Sequence, residues 1–140
     1  MWMRERIALF ERYTLPSVER QTNKDFLWFI LLDEERCRPF PGLVERIERA
    51  GYVPLFCEHL DVAIPRILDH AATLGSFDHI ATSRLDSDDV LHPEYIADVK
   101  ASSSASPTPP ISSISFSSLS QRRVPTNMEC GLIGASLRRS

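Results

Sequence analysis

Phe26-Leu27-Trp28-Phe29-Ile30-Leu31-Leu32, running straight into Asp33-Glu34-Glu35, is the stretch on which the fold turns. Seven consecutive apolar residues do not alternate with polar ones, so a strand made from them has no solvent face. Such a strand belongs in a parallel sheet covered on both sides by helices. The acids fall at its carboxyl end, the edge where open α/β sheets bind ligands. Asp33 is therefore a candidate for ligand contact, whereas Glu34 and Glu35 read as the start of a solvated loop, the usual fate of a charge run.

On the amino-terminal side, Met3 to Thr14 reads as a helix that puts Ile7, Phe10 and Thr14 on one side, with Leu9 and Tyr13 beside them. Leu15-Pro16 breaks or kinks it, Ser17 to Gln21 forms a following turn, and Thr22 to Asp25 is a polar link to the strand. On the other side, Leu43 to Ala50 is a short helix closed by Gly51, and Tyr52 to Cys57 is a strand that Pro54 marks as edge-like. Asp61 is placed to cap a helix over Val62 to Leu74, with Pro65 in its first turn and Gly75 at its end. Asp78 to Leu85 is a further strand and Pro93 to Lys100 a last helix. Helices alternating with strands predict an α/β fold with a mostly parallel sheet and helical crossovers.

The last strand runs into Arg84-Leu85-Asp86-Ser87-Asp88-Asp89. Three carboxylates within four residues repel one another unless a positive partner sits among them. Mg²⁺ or Mn²⁺ suits hard oxygen ligands and commonly takes one or two carboxylates plus substrate phosphates. In an extended segment Asp86 and Asp88 share a side, Ser87 faces away, and Asp89 joins them as the chain turns toward Pro93. An EF-hand calcium loop is excluded, because Val90 and Leu91 occupy the positions that need an oxygen ligand and Gly. A dehalogenase-type phosphatase shares D-x-D-x-V but needs a downstream lysine and acidic pair, and after Lys100 there is no lysine and one acid, Glu129. A solvated turn capping the next helix remains the bland alternative and accounts for Asp89 alone. His59, His70, His79 and His92 show no ligand spacing, and only His92 lies beside the acids.

The composition, 140 residues with 43% hydrophobic and 25% charged, fits one domain with one core. Of 16 basic and 19 acidic residues, four arginines and one acid lie beyond Lys100, leaving 12 bases against 18 acids before it. That acidic balance argues against a nucleic-acid surface. Cys37, Cys57 and Cys130 are scattered and odd in number, which suggests neither disulfides nor zinc, and a reducing compartment is the default. No stretch is long and apolar enough for a membrane span, and MWMRERIALF carries charge too early for a secretory signal. The expected location is cytoplasmic, with peripheral membrane association left open.

SVERQTNKDFLWFILLDEE (Ser17 to Glu35) and RLDSDDVLHPEYI (Arg84 to Ile96) resemble the two signatures of family-two glycosyltransferases of the GT-A fold. LFERYTLPSVERQT combined with TSRLDSDD is most similar to the rhamnosyltransferase group of that superfamily, over about residues 4 to 99. The resemblance implies a donor-binding half in which Asp86, Asp88 and Asp89 hold Mn²⁺ or Mg²⁺ against a nucleotide-diphosphate sugar. It also places Asp33 on the nucleotide base or ribose and Asp86 beside the donor, with Arg84 either contacting the donor phosphate or holding Asp86. Transfer of a hexosyl group, rhamnosyl by the closest resemblance, to a saccharide or lipid-linked acceptor is the implied reaction. Such enzymes open with a strand and carry acceptor contacts and a catalytic base after the D-x-D segment. Neither has a match, so the chain reads as incomplete at both ends, and no catalytic residue is assigned. A non-catalytic remnant, or a binding module without turnover, is the rival reading.

Residues 1 to 100 thus read as a partial GT-A-like domain and 101 to 140 as a Ser/Pro/Arg-rich tail expected to be disordered, since half of Ala101 to Ser120 is serine. The abrupt change of composition after Lys100 suggests a shift of reading frame in the coding DNA.

Overall fold

The computed structural model describes residues 2–75, 77–83, 85–105, 116–117 and 132–139. The chain opens in helix α1 (Trp2–Leu9), widens into a π-helical turn (Phe10–Thr14) and continues as α2 (Leu15–Glu19). Pro16 has no N–H to donate. The turn that precedes it is opened by one residue, so that the Leu15 N–H reaches back to the carbonyl of Phe10, and of the break or kink expected here there is no break, since the helix carries on into α2.

β1 (Leu27–Leu32) follows, and Trp28 to Leu32 are each buried almost completely. Side-chain parity divides the strand between two cores. Trp28, Ile30 and Leu32 pack with Ile7, Phe10 and Val18 of the amino-terminal helices, and Phe29 and Leu31 face the other way. Next come α3 (Glu34–Cys37), α4 (Pro41–Arg49), β2 (Val53–Phe56) and α5 (Leu60–Thr73). Leu43 and Ile47 of α4 complete the first core, while Ala63 and Ile67 of α5 cover Phe29, Leu31 and Leu55 in the second. β1 is therefore buried on both faces, as its unbroken apolar run requires.

Gly51, at φ 84°, ends α4 in the left-handed region open to glycine. α5 begins at Leu60 with His59 as its cap, so Asp61 lies in the first turn rather than at the cap. Pro65 accordingly falls inside the helix rather than in its first turn.

β3 (Phe77–Ser83) leads to the acidic turn, and α6 (Tyr95–Ala105) continues past Lys100. Two further strands come from the region expected to be disordered, β4 (Phe116–Ser117) and β5 (Leu132–Arg139). The sheet order is β2-β1-β5-β3-β4. β1 pairs with β2 in parallel, through Phe29 with Val53 and Leu32 with Phe56, and β3 pairs with β4 in parallel. β5 is antiparallel to both β1 and β3. The sheet is therefore mixed rather than mostly parallel, because a strand from the tail enters between the two that carry the acids.

Two consequences position the site. β1 and β3 both oppose β5, so they run the same way and their carboxyl ends open on one rim. The chain leaves β1 through α4 on one face and returns to β3 through α5 on the other, which places a change of winding direction between those ends.

Candidate functional site at the carboxyl rim

Asp33 sits one residue past β1 in extended conformation, and its carboxylate accepts the Arg36 N–H at 3.0 Å, capping α3. The Arg36 guanidinium approaches the same carboxylate, Nε to Oδ2 at 3.7 Å. Glu34 and Glu35 are exposed, but they open helix α3, capped by Asp33, where a solvated loop was expected.

Past β3, Leu85 is buried in the first core and the chain turns at once. The Asp89 N–H donates to the Asp86 carbonyl at 3.0 Å and the Asp86 N–H points at Asp89 Oδ2 at 3.4 Å. The extended geometry expected for this segment is replaced by a closed turn, since these local bonds satisfy the backbone after β3 ends at Ser83. Ser87 is buried, and Asp86, Asp88 and Asp89 are exposed. The Asp89 carboxyl is held above the usual carboxylate range, first by burial and then by the charges of Asp86 and Asp88, against an opposing hydrogen bond from the Asp86 backbone. Arg84 lies outside the described residues, as do Glu129 and Cys130.

The partner of Asp88 is Arg6 of α1, whose Nη1 lies 3.0 Å from Asp88 Oδ2. Helical periodicity assigned Arg6 to solvent, and only the tertiary fold brings it 82 residues across to the acids. Trp2 joins the two halves of the rim. Its ring centroid lies 5.5 Å from the Arg6 guanidinium carbon and 5.9 Å from that of Arg36, so one indole contacts the arginine of Asp88 and the arginine of Asp33.

The turn is held from behind by polar groups of the Ser17–Thr22 motif and by Thr14, three residues before it. The Thr14 hydroxyl donates to the Ser87 carbonyl at 2.9 Å and the Leu91 N–H donates to Ser17 Oγ at 3.1 Å. Buried Gln21 donates through Nε2 to the His92 carbonyl at 2.7 Å and accepts the Ile96 N–H on Oε1 at 3.0 Å. The Thr22 N–H donates to the Pro93 carbonyl at 2.9 Å. The two motifs are thus halves of one structure: the first presents a row of buried polar atoms and the second is tied to them. His92 has a local task as well, its Nδ1 accepting the Glu94 N–H at 3.2 Å.

Beside the turn, Arg6, Ile7, Phe10, Ile30, Leu32, Leu43, Ile47 and Ser87 line a cavity of about 20 Å³, room for a single water-sized group. Ser87 Oγ and Arg6 Nε are buried without hydrogen-bond partners.

Asp86, Asp88 and Asp89 offer the oxygen donors that Mg²⁺ or Mn²⁺ prefers. As arranged they do not fit such an ion: the described residues contain no group of three acidic, histidine or cysteine side chains placed to hold a metal, and Asp88 is paired with Arg6. Cys37 and Cys57 are free thiols. Among the described residues no helix is long and apolar enough to cross a membrane.

Sheet, winding and acids together define a mixed α/β protein with a charged rim at the carboxyl ends of its strands. The chain belongs to the putative rhamnosyl transferase family, whose model matches residues 1–117, and that membership implies a sugar donor and an acceptor in general terms. No curated protein and no solved structure matches it.

Proposed function

We propose that the chain is the donor-binding part of a GT-A-like glycosyltransferase that takes a nucleotide-diphosphate sugar at this rim. The transferred group is a hexosyl unit, rhamnosyl by family, and the acceptor a saccharide or lipid-linked saccharide. One observation carries the reading: Asp33 and Asp88 stand at the carboxyl ends of two strands that run the same way, and one tryptophan contacts the arginine of each. In a single displacement the acceptor oxygen bonds to the anomeric carbon as the bond to the departing diphosphate breaks, and the hydroxyl proton goes to a base. No described residue is assigned as that base. Asp33 is the residue proposed for the nucleotide, with Asp86 beside the donor. Arg84 keeps its proposed phosphate contact from sequence alone. Asp86, Asp88 and Asp89 as ligands of Mn²⁺ or Mg²⁺ form a separable part of the proposal, one that requires Arg6 to leave Asp88. Free thiols and an acidic surface support a cytoplasmic site of action.

A second reading, a binding module without turnover, is favoured by the structural tasks that Asp33 and Asp88 already perform. Calorimetry with a panel of sugar nucleotides, followed by a transfer assay, separates the two. Donor binding that weakens about tenfold in Asp33→Asn supports the site, on the scale of one lost charged hydrogen bond. Binding without transfer selects the module, and no binding of any sugar nucleotide overturns both.

A further inference from the structure

β2 is the outermost strand of the sheet on its side, and among the described residues no other strand pairs with its far edge. An outer strand offers its unpaired N–H and C=O groups to any chain that can lie beside it. In a strand the two backbone groups of one residue point the same way, and successive residues point opposite ways. The Cys57 N–H donates to the Leu32 carbonyl at 3.1 Å, so Val53, Leu55 and Cys57 turn their backbone toward β1, and Pro54 and Phe56 turn theirs outward. Each outward residue lacks a group that an incoming strand needs. Pro54 has no N–H to donate, and the Phe56 carbonyl accepts a hydrogen bond from Nη1 of Arg66, which reaches back from the exposed side of α5. One residue before the strand, the Tyr52 N–H is taken by the Ile47 carbonyl of α4 at 3.1 Å.

We propose that Pro54 and Arg66 close the outer edge of β2 against strand addition, and that the partner they exclude is β2 of a second copy of this chain. Two copies meeting there in antiparallel fashion about a twofold axis would each offer the same edge to the other. Pro54 removes a donor from each side of that pairing, Arg66 occupies an acceptor, and the two guanidiniums would meet as like charges. Phe56 lies opposite Leu32, the last residue of β1 before Asp33, so the closed edge also keeps a second sheet from extending along the rim. The inference goes beyond the glycosyl-transfer reading and does not rest on it, since it concerns backbone groups on the side of β2 away from β1.

Sedimentation velocity of the full chain over a range of concentrations, paired with hydrogen exchange at the Phe56 amide, tests it. The double variant Pro54→Val with Arg66→Ala is expected to dimerise at least about tenfold more tightly than wild type, on the scale of the backbone hydrogen bonds that each copy regains. Its Phe56 amide is expected to gain protection as concentration rises, whereas that of wild type does not. Arg66→Lys, which keeps both charge and donor, is expected to behave as wild type. A double variant that associates no more tightly than wild type, or associates without protecting the Phe56 amide, overturns the proposal, as does a wild type already protected there by association. Should the double variant fail to fold, Arg66→Ala alone, a change at an exposed helical position, is expected to give a smaller gain in both readings, and no gain overturns the proposal. Failure of the glycosyl-transfer reading appears in the sugar-nucleotide titration and leaves these readings unchanged.

Discussion

Gln21 is 1% exposed, and its amide serves both a carbonyl and an N–H of the segment that follows the acids. Replacing it by leucine fills the space but leaves the buried Ile96 N–H and the part-buried His92 carbonyl without their partner. Gln21→Leu is expected to lower stability by about 2 kcal/mol, the scale of one stranded buried group and one that water can reach, read from urea denaturation. An unchanged midpoint would show that the turn does not depend on this amide. Cys37 gives a different handle. Burial first, and the charge of Asp33 second, push its thiol from the ordinary 9.0 up to about 11, partly opposed by a hydrogen bond from the Asp33 backbone. A raised pKa in the folded state favours folding fully below the unfolded value, and the benefit is lost as pH climbs through the folded one. Wild type is therefore expected to lose stability from pH 9 to 11 relative to Cys37→Ala, by about 3 kcal/mol at the limit; parallel pH profiles for the two would contradict this. At this scale the sequence was legible for acids and illegible for their partners. The clustering of Asp86, Asp88 and Asp89 is local text, whereas Arg6 looked like one of several solvent-facing arginines and Thr14 like a member of an apolar stripe.

α4 shows what one helix contributes. It places Leu43 and Ile47 against β1 and along the wall of the small cavity beside the turn. Ile47→Ala is expected to cost between about 2 and 5 kcal/mol, nearer the upper end because an existing void limits collapse. Thermal or urea unfolding measures it, and a loss below about 0.5 kcal/mol, typical of surface changes, would mean that the helix does not seal this core. β1, β2 and α4 were readable because burial on two faces, an edge proline and a terminal glycine are each written in consecutive residues. β4 and β5 were not. Leu132 to Arg139 mixes Gly, Ala, Ser and two arginines without alternation, so its strand state comes from the neighbours it pairs with, a tertiary effect that propensity does not record. The acidic segment failed in the opposite direction, since a local hydrogen bond closed it into a turn where alternation implied extension.

Across the whole molecule, β5 is the element that joins β1 to β3, pairing with Leu27 to Ile30 on one side and with Phe77 to Ser83 on the other. A chain ending after residue 131 leaves both inner edges unpaired. It is expected to lose its cooperative urea transition and to associate through those edges, observed by light scattering. A truncated chain that stays monomeric and unfolds at the wild-type midpoint would show β5 to be dispensable. A change of reading frame near Lys100 remains our proposal for the serine-rich composition, and the coding DNA decides it: an alternative frame that continues glycosyltransferase-like text supports it, and none that does so refutes it.

Trp2 and Trp28 are the two tryptophans of the chain, the first 41% exposed between two guanidiniums and the second buried against Phe10 and Tyr52. Their emission should therefore separate into a red, solvent-sensitive band and a blue, shielded one. With Trp28 changed to phenylalanine, the remaining indole becomes a native optical gauge of the rim, brightening or dimming whenever either arginine shifts, with no dye attached.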